Sequence, residues 1–182
     1  MIDIQPLQQI ITRFIRKARH QWQLFAFATM AIYGITALFL WTSHPAPRPL
    51  PLKTINTLNN LAFGVAVLFA IAIFLQKRNL FSPQFSKAFF QNSLKTTDGN
   101  AEATLEAYLT LVFSRFQRFW ALAFGITIVG VLHYWLTLWP QYLHLLFIVG
   151  LFSLFLNYPR KEFFTEIPYQ LQRIKMDMDE NL

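Results

Sequence analysis

Four long apolar stretches constrain the fold of this chain more than any other feature of its sequence. They are Trp22–Thr42, Leu58–Leu75, Phe119–Trp139 and Gln141–Asn157. Each holds about 17–21 residues, which at about 1.5 Å per helical residue approaches or spans a hydrocarbon core about 30 Å thick. Backbone groups in lipid must be hydrogen-bonded within their own segment. We therefore predict an all-α membrane protein with four transmembrane helices arranged as two hairpins.

Composition favours lipid as the solvent of this chain. Of the 182 residues, 54% are hydrophobic and 14% are charged, and phenylalanine alone occurs 20 times. Soluble domains carry about 25% charged residues, so the chain is poor in charge. We predict one integral membrane domain over residues 1–182. The chain has no cysteine, which excludes disulfides, thiolate metal sites and iron–sulfur clusters.

The basic residues predict how the chain is oriented. All but Arg48 and Lys53 of the 16 lie in three flanking segments, 1–21, 76–118 and 158–182, and all nine acidic residues lie there too. The positive-inside rule makes these segments cytoplasmic, with both termini inside, most simply in a bacterial inner membrane. The net charge of +7 is then explained by lipid headgroups, and nucleic acid is not expected as a partner.

The five tryptophans agree with this orientation. Trp22 and Trp120 fall at the inner ends of their predicted spans, whereas Trp41, Trp135 and Trp139 fall at outer ends. Tryptophan is enriched where a span meets the headgroup layer. We interpret the five as an interfacial aromatic belt.

Apolar residues at helical spacing predict four amphipathic helices in the cytoplasmic flanks, over residues 4–19, 83–94, 101–118 and 166–178. The third is predicted to continue into the third span, and the second to place Phe85, Ala88 and Phe89 on one face. Each apolar face can lie among headgroups, pack on a sister helix, or dock another protein.

Similar motifs recur at the inner ends of the spans. Residues 13–16 read RFIR and residues 115–118 read RFQR, while 77–85 read KRNLFSPQF and 160–170 read RKEFFTEIPYQ. The chain is thus predicted to be a 2+2 pseudo-repeat about an axis along the membrane normal. The alternative is that lipid imposes similar flanks everywhere. The residues predicted to meet lipid or a partner are Arg13, Phe14, Arg16, Arg115, Phe116 and Arg118.

Small residues at four-residue spacing predict close packing of the spans. Such positions let helix backbones approach in a membrane, although alanine is also common in membrane helices in general. The predicted packing residues are Gly34, Ala62, Ala66, Ala70, Ala121 and Gly125.

The predicted spans contain no Asp, Glu, Lys or Arg. Ion-coupled transporters usually need an intramembrane ionisable group, so a transporter acting alone is disfavoured, but a pore with a hydrophobic gate is not. His133 and His144 flank the second hairpin turn and are hypothetical haem ligands. The alternative is that both are ordinary interfacial histidines. No catalytic motif, other cofactor or metal site is expected.

These patterns predict a non-catalytic integral membrane subunit that anchors, scaffolds or stabilises a larger membrane protein complex through its cytoplasmic amphipathic helices. Two alternatives stay open. One is a homo-oligomeric protein that forms a pore or perturbs the bilayer. The other is a haem-binding membrane anchor of an electron-transfer complex. The expected partners are membrane lipids and other membrane-protein subunits or copies of the chain itself.

Overall fold

The computed structural model describes residues 4–97 and 100–179, without the side chains of Ile4, Pro83, Met178 and Asp179. Of these described residues 88% are helical, and none lies in a strand. This confirms the all-α class. The helices are α1 (Ile4–Ser43), α2 (Leu52–Leu80), α3 (Pro83–Thr96), α4 (Ala101–Thr137), α5 (Pro140–Leu156) and α6 (Ile167–Asp179), with a 3₁₀ turn at Lys161–Phe163 before α6.

Two of these helices join segments that the apolar pattern had divided. The predicted amphipathic helix 4–19 and the predicted first span form one unbroken helix of 40 residues, α1. The sequence between them holds no proline or glycine to end a helix. Likewise, α4 runs without a break from Ala101 to Thr137, as predicted for the segment 101–118.

Three helices in the described part of the chain, α1, α2 and α4, are long and apolar enough to cross a membrane. A fourth crossing depends on α5, which has 17 residues. Together with the segment Lys161–Asp177 it passes the same criterion, but the pair is bent by 51°. Length and composition are therefore consistent with a membrane protein of three to four spans.

The turn between α4 and α5 is set by Pro140. The proline occupies the first turn of α5 and Trp139 before it is extended, as the residue before a proline prefers. Leu138 takes a positive φ of 57°, and the Thr137 hydroxyl accepts a hydrogen bond from the Trp139 N–H at 3.1 Å. The helix thus ends two residues before the predicted end of the third span.

The helices pack into two compact units. We call the first the amphipathic unit; it comprises the described residues up to Gln21, Gln76–Gln117, and those from Pro159 onward. The second, the apolar unit, comprises Trp22–Leu75 and Arg118–Tyr158. The single integral membrane domain over residues 1–182 stays a prediction.

The core of the apolar unit forms around α4. Within the most apolar stretch of each candidate span, 50% of the residues are buried in α4, 11% in α1 and 17% in α2. Ala62 and Ala66 of α2 pack with Ile126 of α4 and Leu146 of α5 in one buried cluster. α4 is therefore the central helix of this unit, and α1 and α2 leave most of their surface open.

The core of the amphipathic unit is built from the apolar faces of its helices. The buried side chains include Leu7, Ile11, Ile15 and Ala18 of α1, Phe90 and Leu94 of α3, Leu105, Leu109 and Val112 of α4, and Leu171 and Ile174 of α6. α3 and α6 contact each other directly. Of the three fates open to these faces, the structure shows packing on sister helices. On α3, Phe90 is buried, Phe85 and Phe89 are half-buried, and Ala88 is exposed.

Candidate functional site

Two tryptophans cap the C-terminal end of α5. The indole N–H of Trp22 donates to the carbonyl oxygen of Leu154 at 2.9 Å, and that of Trp120 donates to the carbonyl oxygen of Asn157 at 3.0 Å. The last carbonyls of a helix have no partner within it. The two indoles supply such partners from α1 and α4.

Trp120 corrects the interpretation of the aromatic belt. Its side chain is completely buried within the chain, so it contacts protein and is not open to lipid headgroups. Its ring packs beside that of Phe25 from α1, with centroids 6.1 Å apart. A tryptophan at the end of an apolar stretch can thus serve protein packing as well as the membrane interface, and sequence position alone does not separate the two.

His133 is held within the apolar unit. It is buried, and its Nε2 lies 2.8 Å from the Oδ1 of Asn59 on α2. Since Oδ1 can only accept, Nε2 is the donor. The ring also lies beside that of Tyr142, with centroids 4.6 Å apart. His133 therefore joins α4 to α2 and α5.

His144 has a different partner. Its Nδ1 shares a hydrogen bond of 3.0 Å with the hydroxyl of Tyr33 on α1, and Tyr33 stacks on Phe147 at 3.7 Å. On α5, residues 142 and 144 point about 200° apart, so His144 faces away from the side that meets His133. The two rings do not fit a haem held between them. The geometry thus gives no support to the haem ligands, which stay an untested prediction.

The predicted packing residues divide into two groups. Ala62 and Ala66 are buried in the apolar core, and a Cβ on Gly125 would lie 2.8 Å from the ring of Phe69 on α2; Ala70 is partly buried. In contrast, nothing lies within 4 Å of a Cβ placed on Gly34, and Ala121 is exposed. Within this chain these last two make no close helix contact, and their packing role stays a prediction.

The closest helix contacts involve two glycines that sequence reasoning missed. A Cβ on Gly130 of α4 would lie 2.9 Å from the Cβ of Leu146, and one on Gly150 of α5 would lie 2.8 Å from the carbonyl oxygen of Ala123 and collide with the Thr127 side chain. α4 and α5 therefore touch backbone to backbone. The signal available was the presence of glycines in both predicted spans of one hairpin, two in the third span and one in the fourth, without any four-residue spacing.

The residues predicted to meet lipid or partners also separate by burial. Phe14 and Phe116 are buried in the amphipathic unit, so within this chain their rings contact protein; their role at a lipid or partner interface stays a prediction. Arg13, Arg16 and Arg118 are exposed, and Arg115 is half-buried. The phenylalanine of each RFxR motif thus faces inward, and both arginines of the first motif are exposed.

The buried phenylalanines make reciprocal contacts. Phe14 meets Phe164 with ring centroids 5.1 Å apart, and Phe116 meets Phe81 at 6.1 Å. Phe14 and Phe116 hold the same place in the two RFxR motifs, and Phe81 and Phe164 the same place after the two basic pairs. The RFIR motif at 13–16 therefore contacts the segment after Arg160-Lys161, and the RFQR motif at 115–118 contacts the segment after Lys77-Arg78.

The two basic pairs also approach each other. Lys77 lies just beyond the predicted second span, and its pKa is lowered by burial and, secondarily, by the positive charge of Arg160. Lys77 and Arg160 are each the first residue of their pair. The first residues of the two basic pairs are thus close enough for their charges to interact.

An open groove of about 290 Å³ runs between α1 and α4 in the amphipathic unit. Arg13 and Lys17 line it from α1, and Glu106 and Phe113 line it from α4. The Lys17 ammonium lies over the Phe113 ring, 4.9 Å from its centroid. The groove therefore combines two cations, one carboxylate and an apolar wall.

In the described ranges 4–97 and 100–179, no three or more His, Asp or Glu residues come together as a metal-binding group. Comparison with known proteins adds no family: no family model, curated protein or solved structure matches the chain.

Proposed function

We propose that the protein is a non-catalytic integral membrane subunit that anchors or stabilises a larger membrane protein complex. The observation that carries the proposal is the open lateral face of α1. Phe27, Ile35 and Trp41 are 74%, 71% and 76% exposed within the chain. Such a face must be covered by lipid or by the spans of other proteins.

The partner surface lies on α1, in contrast to the cytoplasmic faces expected from the sequence. Those faces are covered by one another in the amphipathic unit, so they have little apolar area left to offer. On α1, Gly34 leaves an open notch between Met30 and Leu38, which are both exposed. A notch of this kind admits a close-packed helix from a partner.

The test is purification of the full chain in mild detergent with identification of copurifying proteins. A Gly34→Leu variant fills the notch and is expected to reduce the amount of bound partner. Gly64→Leu on α2 is the matched control, because nothing lies within 4 Å of a Cβ at either glycine. Recovery of a stable monomer with no partner, or equal losses in both variants, would contradict the proposal.

The same purification addresses the pore alternative. Complexes that contain only copies of this chain would favour a homo-oligomer, and conductance across planar bilayers would then establish a pore. The Gly34 notch is open to a helix of either kind, so the composition of the purified complex distinguishes a heteromeric partner from a homo-oligomer.

The proposed layout is four spans with both termini in the cytoplasm, formed by an internal duplication. The reciprocal contacts Phe14–Phe164 and Phe81–Phe116 support the duplication, because a two-fold interface pairs each residue with the counterpart of its own partner. Lipid can impose similar flanks on every span, but it does not by itself make corresponding residues exchange contacts.

A further inference from the structure

We propose that the groove between α1 and α4 of the amphipathic unit binds the headgroup of an ethanolamine phospholipid, whose phosphate meets Arg13 and Lys17 and whose ammonium meets Glu106. This inference goes beyond the subunit role and requires only that the chain resides in a membrane. It rests on the charges that line the groove and on their order along the two helices.

The phosphate end is formed by the two cations. Arg13 and Lys17 are four residues apart on α1, so both project onto one face. A guanidinium can grip two phosphate oxygens at once, while an ammonium acts as a compact charge beside it. Phe113 holds Lys17 against the groove wall through the cation–π contact, which fixes where the positive charge lies.

The order of the charges matches the order of groups in the headgroup. Lys17 contacts Phe113, so these residues share a level on the two helices. Arg13 is four residues before Lys17, so it lies about 6 Å from that level toward the start of α1. Glu106 is seven residues before Phe113, so it lies about 10 Å from that level toward the start of α4. Lys17 in turn precedes Trp22, where the predicted first span begins, by about 7.5 Å. Moving away from the span, the groove thus presents the two cations first and the carboxylate last.

An ethanolamine phospholipid presents its groups in the same sequence. Its phosphate is attached to the glycerol next to the acyl chains, and its ammonium lies two carbons further out. Ile10 and Leu109, which also line the groove, supply apolar surface for those two carbons. The headgroup therefore meets a complementary charge at each end.

Glu106 is the residue that distinguishes this ligand from an anionic lipid. A glycerol headgroup has no cation for the carboxylate, and a lipid with two phosphates would place its second negative charge near it. Two cations alone would favour any phosphate. The carboxylate converts a general preference for phosphate into a preference for a phosphate linked to an amine.

The test measures lipid selectivity of the full chain by native mass spectrometry, with equimolar ethanolamine and glycerol phospholipids of the same acyl chains. The wild type is expected to retain the ethanolamine lipid about two- to fivefold more often, which is the range that a solvent-exposed ion pair contributes. Glu106→Gln should remove the preference. Arg13→Gln and Lys17→Gln should each reduce retention of both lipids.

Two matched controls accompany these variants. Glu102→Gln removes an exposed carboxylate one turn earlier on α4, and Arg16→Gln removes an exposed cation from α1; neither residue lines the groove. Both should retain wild-type selectivity. Equal retention of the two lipids by the wild type, a preference for the glycerol lipid, or a Glu102→Gln effect equal to that of Glu106→Gln would each overturn the proposal.

Discussion

Trp120 donates its indole N–H to the carbonyl oxygen of Asn157 across 3.0 Å, in a buried contact between α4 and the C-cap residue of α5. Trp22 makes a similar bond to Leu154 from α1. The two carbonyl oxygens differ in whether a second hydrogen-bond donor remains when the indole is removed. The Leu154 oxygen also accepts the backbone N–H of Asn157 at 3.1 Å, so it has a second donor.

This difference predicts unequal effects of the same substitution. Trp120→Phe removes the indole donor from a buried carbonyl, and an unsatisfied buried group costs about 1–3 kcal/mol. Trp22→Phe should cost less, because the Leu154 carbonyl keeps its backbone donor and Trp22 is only partly buried. The free energy of unfolding of both variants in detergent micelles measures the difference. Equal losses would show that ring packing, rather than the hydrogen bond, dominates at both positions.

The close approach of α4 and α5 predicts that Gly150 tolerates no side chain. A Cβ there would lie 2.8 Å from the Ala123 carbonyl and clash with Thr127. Gly150→Ala should therefore lower the free energy of unfolding by about 1–3 kcal/mol, as overpacking does. Gly34→Ala is the control, since its Cβ enters open space. A neutral Gly150→Ala would mean that the two helices can separate without cost.

The contact between His133 and Asn59 predicts a measurable coupling between α4 and α2. Asn59→Ala should cost about 0.6–1.7 kcal/mol, the range found for side-chain hydrogen bonds between membrane helices. Asn60→Ala is a control at the next residue, which is exposed. A double-mutant cycle with His133→Ala isolates the pair. A coupling energy of zero would assign His133 to packing alone.

The proposed orientation predicts which cysteines react from outside the cell. The natural sequence has no cysteine, so single substitutions carry no background. Ala46 and Gln91 are both exposed. A membrane-impermeant maleimide should label Ala46→Cys in intact cells and Gln91→Cys only after lysis. Labelling in the reverse pattern would show that the chain has the opposite orientation in the membrane.

Much of the helical layout could be predicted from the sequence because it depends on local patterns. Apolar runs and amphipathic spacing located the six α-helices of the described residues. At the start of α3 the Ser82 side chain accepts a hydrogen bond from the Phe85 N–H. What the pattern did not show was the continuity of α1. A change from amphipathic to uniformly apolar sequence within α1 alters the surroundings of a helix without interrupting its backbone.

The contacts of individual residues were less predictable, because they depend on which faces meet. Phe14 and Phe116 looked like lipid anchors from their basic neighbours, yet both are buried. Gly34 resembled a packing glycine and faces open space, whereas Gly150 makes the tightest approach. Sequence spacing specifies the face of a helix on which a residue lies, but it does not specify which neighbour covers that face.

The two-residue connection between α4 and α5 has a consequence for biosynthesis. Thr127, His133 and Thr137 of α4 are all buried, and α5 passes within backbone contact of this helix at Gly130 and Gly150. If α4 left the translocon alone, those polar side chains would meet acyl chains until α5 was synthesised. We therefore expect the ribosome to complete α5 before α4 is released, so that the hairpin enters the bilayer as an assembled pair.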